Sequence, residues 1–229
     1  MTKKLTFVII SIFLLLISCD KKQSELEFDE TVVKEIFPTL LDSVHHDRRL
    51  SQPPPPPPPP PNFDGTPNDS IIFEWDEEKM IAEFEKRKSE IEKDTTKLVI
   101  VIRDSTYQIN KRAKREFIEF YKEYKVELDS NVDKQRYKID ISELNYDKKF
   151  KLKYGSKFPK TSAIWDMEYD FHLSGITWMS RIHFDKTKRF GVLESGFGCG
   201  KLCGFGGVVM IKKLNDKWVI DEIIVHTVS

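Results

Sequence analysis

"GFGCGKLCGFGG", residues 196–207, holds six of the chain's ten glycines and two of its three cysteines. In an extended strand, residues four apart sit about 13 Å apart at Cα. A disulfide needs roughly 4.4–6.8 Å. Cys199 and Cys203 can therefore bridge only if the chain folds back between them. Gly198, Gly200 and Gly204 provide for that, because glycine takes left-handed backbone angles without a Cβ clash. The stretch reads as a disulfide-closed connection between two strands.

Two other chemistries compete for the same cysteines. A thiol-redox centre of the Cys-x-x-Cys kind sits at a helix N-terminus, which lowers the thiol pKa. Here three residues intervene and no helix pattern follows. A zinc site needs four ligands in a tetrahedron, so His172, His183 or His226 would have to converge on the two sulfurs. Hydrolytic and nucleotide chemistry find less support. Glu194-Ser195-Gly196 lacks the Gly-x-Ser-x-Gly elbow, and the glycines neither end in Lys-Ser/Thr nor open a helix. Asp166, Glu168 and Asp170 alternate in "WDMEYD", which predicts three carboxylates along one side of a strand, a solvated edge.

Outward from this segment the patterning is of strands. Ile176 to Phe184 alternates apolar and polar residues, and Asp185-Lys186-Thr187-Lys188 forms a polar turn. Phe190 to Phe197 is the next strand and Gly207 to Leu214 the one after. Asn215-Asp216 suits the positive φ angles of a tight hairpin, and the last strand carries Trp218, Ile220 and Ile224 on one face. Four strands in succession predict an antiparallel meander. Upstream, Asp76 caps a predicted helix to about Lys93, with Met80, Ile81, Phe84 and Ile91 as its stripe. Leu98–Ile102 is a buried strand, and a second helix covers about Lys111 to Lys125. Short strands are expected around Tyr137–Ile141 and Phe150–Tyr154. Helices first and a meander afterwards predict α+β, two helices covering one face of an antiparallel sheet.

The N-terminus predicts where this body is held. Met1-Thr2-Lys3-Lys4 precedes a largely apolar run from Leu5 to Ile17, shorter than the roughly twenty residues that span a bilayer. The run ends Leu16-Ile17-Ser18-Cys19, which resembles the lipobox of bacterial lipoproteins. The resemblance implies a signal peptide over 1–18 and a Cys19 that carries diacylglyceryl and usually an N-acyl chain, palmitate among them. Two or more acyl chains hold stably where one would be reversible. Asp20 implies inner-membrane retention in some bacteria, so the cell-envelope expectation favours the outer membrane and keeps the inner membrane open. Removing residues 1–18 takes away two lysines and no acid, leaving 35 basic against 37 acidic residues. That balance gives no electrostatic footprint for nucleic acid.

Residues 19–70 read as a tether to a single globular domain over 71–229. Val32, Val33, Ile36, Phe37, Leu40 and Leu41 offer a short amphipathic helix within it, ending near Pro38 or continuing beyond. His45-His46 is expected to be solvated there. Nine prolines, Pro53 to Pro61, must take polyproline II geometry, a spacer on the order of 28 Å or a ligand for an aromatic-lined groove on an envelope partner.

Ser180-Arg181-x-x-Phe184, Cys199-Gly200-x-Leu202-Cys203-Gly204 and Lys217-Trp218 together resemble a C-terminal domain of uncharacterised secreted bacterial proteins. That resemblance implies no activity. The order of helices and curved sheet is similar to the NTF2 superfold, an analogy of fold alone. The sequence thus leads to a lipid-anchored envelope protein with a non-catalytic binding domain, without cofactor or metal. The alternative is a thiol-redox or zinc-dependent activity at Cys199 and Cys203. The aromatic residues Trp178, Phe190, Phe197 and Phe205 are expected in the core.

Overall fold

The computed structural model describes residues 24–45, 49, 76–94, 96–129 and 135–228. Cys19, the proline run and His46 lie outside them. Helix α1 spans Glu25–Val44 and opens with a capping box. Ser24 Oγ accepts from Glu27 N at 3.2 Å and Glu27 Oε2 accepts from Ser24 N at 2.8 Å, satisfying donors that the first turn leaves free. The helix survives Pro38, which removes one backbone donor. Its stripe from Val32 to Val44 is almost wholly buried. This segment therefore packs into the core of the body and is not part of a tether as expected. His45 is likewise not solvated: its Nε2 lies 2.6 Å from Ser174 Oγ and its ring packs edge-on against Phe150 and Phe197.

The sheet comprises β1 (Leu98–Ile102), β2 (Phe150–Tyr154), β3 (His172–Met179), β4 (His183–Phe184), β5 (Phe190–Gly200), β6 (Cys203–Leu214) and β7 (Lys217–Val228). Their order is β2-β1-β3-β5-β6-β7, with β4 on the side of β5. The expected meander is present in β3, β5, β6 and β7, each antiparallel to the next. The sheet as a whole is mixed, because β1 is parallel to both β2 and β3. All five residues of β1 are buried, as a strand covered on both faces requires.

The helices do not share one face. Helix α1 packs with Leu98, Ile100 and Ile102 of β1 and with Phe197, Val209 and Ile211. Helix α3 (Lys111–Phe120) lies on the other face, where Ala113, Phe117 and Tyr121 meet Val192, Val208 and Met210. It stops short of Lys125: a 3₁₀ turn over Lys122–Tyr124 follows, and Lys125 is left-handed at φ 50°. Helix α2 (Glu77–Lys93) begins at the expected Asp76 cap but has no buried residue, and Ile81 of its apolar stripe is 55% exposed.

Two expected strands are absent. Tyr137–Ile141 forms only a bridge between Lys138 and Ser105. In "WDMEYD", Asp166 ends a 3₁₀ helix over Thr161–Asp166, so the carboxylates share no strand face, and Asp166 pairs with Lys201. The single strand expected from Ile176 to Phe184 is broken at Ser180–Ile182. There Ser180 N donates to Glu194 O at 2.8 Å, while Arg181 N turns away to Tyr107 O at 2.7 Å. The hairpin at Asn215-Asp216 is as expected, with φ 49° and 62°.

Candidate functional site: the Trp178 cleft

β5 and β6 meet at a two-residue turn, Lys201-Leu202, that pairs Gly200 with Cys203. Cys199 and Cys203 are bridged across it with Cα atoms 5.1 Å apart. Leu202 at the tip is 88% exposed. A sulfur in a disulfide is neither a thiolate nucleophile nor a zinc ligand. His172 shares a depression with Cys199, and His226 lines another with Cys203. His183 is buried elsewhere: its Nε2 lies 2.8 Å from Asp129 O, and burial first of all holds its pKa below the usual value. His226 Nε2 is 2.9 Å from Glu116 Oε2, at ion-pair distance but with a poor angle for a hydrogen bond. Among the described residues no three His, Cys, Asp or Glu side chains group as a metal site.

The hairpin instead shapes a cleft on the α3 face of the sheet, which neither α3 nor the 155–171 segment covers between them. Trp178 on β3 stands opposite Gly196 on β5. A Cβ at Gly196 would lie 2.4 Å from Trp178 Cζ2 and 2.6 Å from Cε2, and one at Gly198 would lie 3.8 Å from Cζ3. The six-membered ring of the indole thus packs on the backbone of β5 at Gly196 and Gly198, and Trp178 is half-buried. Gly206 opposite Gly196 and Gly204 opposite Gly198 extend this floor onto β6.

Trp178 lines two depressions. The first, about 550 Å³, has the glycine floor and a polar rim that includes Tyr107, Asn110, Arg112, Glu194, His226 and Thr227. The second, about 930 Å³, is walled by Val101, Phe158, Pro159, Ile164 and Ile176, with Arg103, Asp104 and Lys160 at its margin. The rim is already organised. Glu194 Oε2 accepts from Asn110 N at 3.0 Å, and Oε1 accepts from the Asn110 amide. Arg112 Nε holds Glu116 at 2.8 Å. Arg103 lies over the Tyr107 ring at 5.3 Å. Burial, then the Glu194 charge, pushes the Tyr107 hydroxyl up to about 12, so it stays protonated. Burial opposes ionisation of Asp104, yet the Ser156 hydroxyl (2.6 Å) and N–H (2.9 Å) hold its pKa below the usual value.

Trp178 was expected in the core, and Phe190 and Phe197 are indeed there. The indole sits on the cleft because its strand neighbours are glycines, a signal present in the sequence as Trp178 followed by the Gly196–Gly207 cluster. No signal identified the buried ion pair of Asp29 and Arg181. Asp29 on α1 also accepts from Ile182 N at 3.2 Å and the Tyr137 hydroxyl at 3.4 Å. This cluster lies on the α1 face of the sheet and ties the helix to the break between β3 and β4.

Fold and site together define an α+β protein whose described residues form three α-helices and a mixed seven-stranded sheet, with a cleft lined by Trp178 and glycines. No family model, curated protein or solved structure matches the chain. Among the described residues no helix is long and apolar enough to cross a membrane.

Proposed function

We propose that this is a lipid-anchored cell-envelope protein whose α+β body is a non-catalytic binding domain, with the Trp178 cleft as its binding surface. The observation that carries the reading is the cleft lined by the half-buried Trp178 and the glycines of β5 and β6, bordered by polar side chains that pair with one another. Ligand pockets combine such apolar surface with a few placed polar groups. The anchor is Cys19, on its resemblance to the lipobox, the outer membrane being favoured; the prolines 53–61 follow α1 in the chain, so they connect two parts of the body and do not space it from the membrane. Likeness to secreted bacterial proteins with the C-G-x-L-C-G motif, and to the NTF2 superfold, belongs to the same proposal and adds no activity.

The bridge between Cys199 and Cys203 supports a structural role for that pair over redox or zinc chemistry. Metabolic labelling with an alkyne palmitate tests the anchor. Label should enter the wild-type chain and not Cys19→Ser, and the wild type should sediment with the membrane fraction. An unlabelled protein found free in the soluble fraction would sink the anchored reading. Alkylation without reductant tests the cysteines: both should resist until reduced, and free reaction would return the thiol-dependent alternative.

A further inference from the structure

We propose that the cleft beside Trp178 binds a saccharide, stacking a sugar ring on the indole; this rests on the reading of the cleft as a binding surface. The glycines of the floor separate into two kinds. Gly196, Gly204 and Gly207 are dictated by the protein's own packing: an added Cβ would come within 2.4 Å of Trp178, 2.9 Å of Phe197 O and 2.2 Å of Ile224 O respectively. Gly198 and Gly206 are not. A Cβ there would meet nothing nearer than 3.8 Å, an ordinary contact. Glycine in a strand interior gives up stability, and it marks places where a ligand or another backbone comes close. At Gly198 the nearest atom is Trp178 Cζ3 and at Gly206 it is Ser195 O, both at 3.8 Å; packing demands glycine at neither, and the space at Gly206, where no indole atom comes within 4 Å, is left for a ligand.

The surroundings specify its chemistry. A flat, apolar indole face suits the C–H face of a pyranose ring. Each oxygen of Glu194 accepts one bond from Asn110 and keeps a lone pair for a further donor. Sugar hydroxyls are such donors. Thr227 and the Tyr107 hydroxyl on the same rim offer both donor and acceptor capacity. A phosphate-bearing ligand is disfavoured here. Arg112 is already held by Glu116, and the Glu194 carboxylate lines the same compartment, where it would repel a phosphate.

A glycan array probed with the full-length chain in lipid nanodiscs tests the class, followed by calorimetric titration of the strongest glycan. Separate arms carry peptidoglycan-type N-acetylhexosamine and muramic-acid oligomers and neutral hexose oligomers, which distinguishes the two sources of the same chemistry. Binding should be saturable and should weaken at least about tenfold in Trp178→Ala. Gly206→Leu fills the floor from an open position and should do the same without lowering the melting temperature. Glycan binding unchanged in Gly206→Leu would overturn the site. Binding of a decaproline peptide or ATP but of no glycan, abolished by Gly206→Leu, would overturn the saccharide while leaving the cleft as a binding surface. If no glycan, decaproline or ATP binds, both fall.

Discussion

Asp29 is completely buried and Arg181 is 3% exposed, and the two lie 152 positions apart in sequence. A buried pair is weak grounds for net stability, but removal of one partner strands the other charge. Arg181→Met should therefore cost about 3–5 kcal/mol in urea denaturation. Arg112→Ala, which breaks the exposed pair with Glu116, should cost less than about 1 kcal/mol. Burial pushes the Asp29 carboxyl up to about 6, against the opposing pull of Arg181, the Ile182 N–H and the Tyr137 hydroxyl. The folded protein thus holds this proton more tightly than the unfolded chain, where the pKa is 3.8. The resulting contribution to stability is complete below that value and is lost as pH rises through about 6. The stability of the wild type relative to Asp29→Asn should fall between pH 4 and 6 and level off above. A difference that rises over that window would mean that the pair, not burial, governs the group.

At the scale of the element, the β5–β6 hairpin is held twice, by its ladder and by the bridge. The cysteines are only four positions apart, so the bridge closes a short loop and removes little unfolded-state entropy. Replacing both by Ser should cost about 2 kcal/mol and leave a cooperative transition. A loss of the fold on reduction would mean that the ladder alone cannot hold the turn. Two glycines on β6 should respond in opposite directions. Gly207→Ala places a methyl 2.2 Å from Ile224 O and should destabilise by about 1–3 kcal/mol. Gly206→Ala makes only an ordinary contact, 3.8 Å from Ser195 O, and should be neutral or stabilise by up to about 1 kcal/mol. Thermal melts of the two variants separate glycines kept for packing from glycines kept for room.

For the whole molecule, α1 is part of the core. Its buried Val32, Val33, Ile36, Phe37, Leu40, Leu41 and Val44 each contribute roughly 1.5–3 kcal/mol of burial, which together rivals the net stability of a domain, about 5–15 kcal/mol. A chain lacking residues 1–45 should show no cooperative unfolding transition by circular dichroism. Deleting Pro53–Pro61 should leave the transition almost unchanged, because the cost of closing a loop varies slowly with its length. If the first truncation melts like the wild type, α1 is an accessory and the body begins later in the chain.

Strands β1, β2, β5, β6 and β7, the Asp76 cap and the Asn215-Asp216 turn were legible in the sequence. Each depends on alternation or on backbone angles over a few neighbouring residues, and those forces are local. The capacity of Cys199 and Cys203 to bridge was legible for the same reason, since glycines between them permit the reversal. What the tertiary structure alone decided is everything set by long-range partners. It placed α1 in the core and not in a tether, because its stripe finds the sheet across a stretch of intervening chain. It broke the strand after Met179, because Arg181 is drawn to a carboxylate on α1. It set β1 parallel between β2 and β3, which alternation cannot reveal, since a strand buried on both faces reads the same in either direction. It also turned Trp178 from an expected core residue into the lining of a cleft, because helix and loop cover the sheet on either side of that indole.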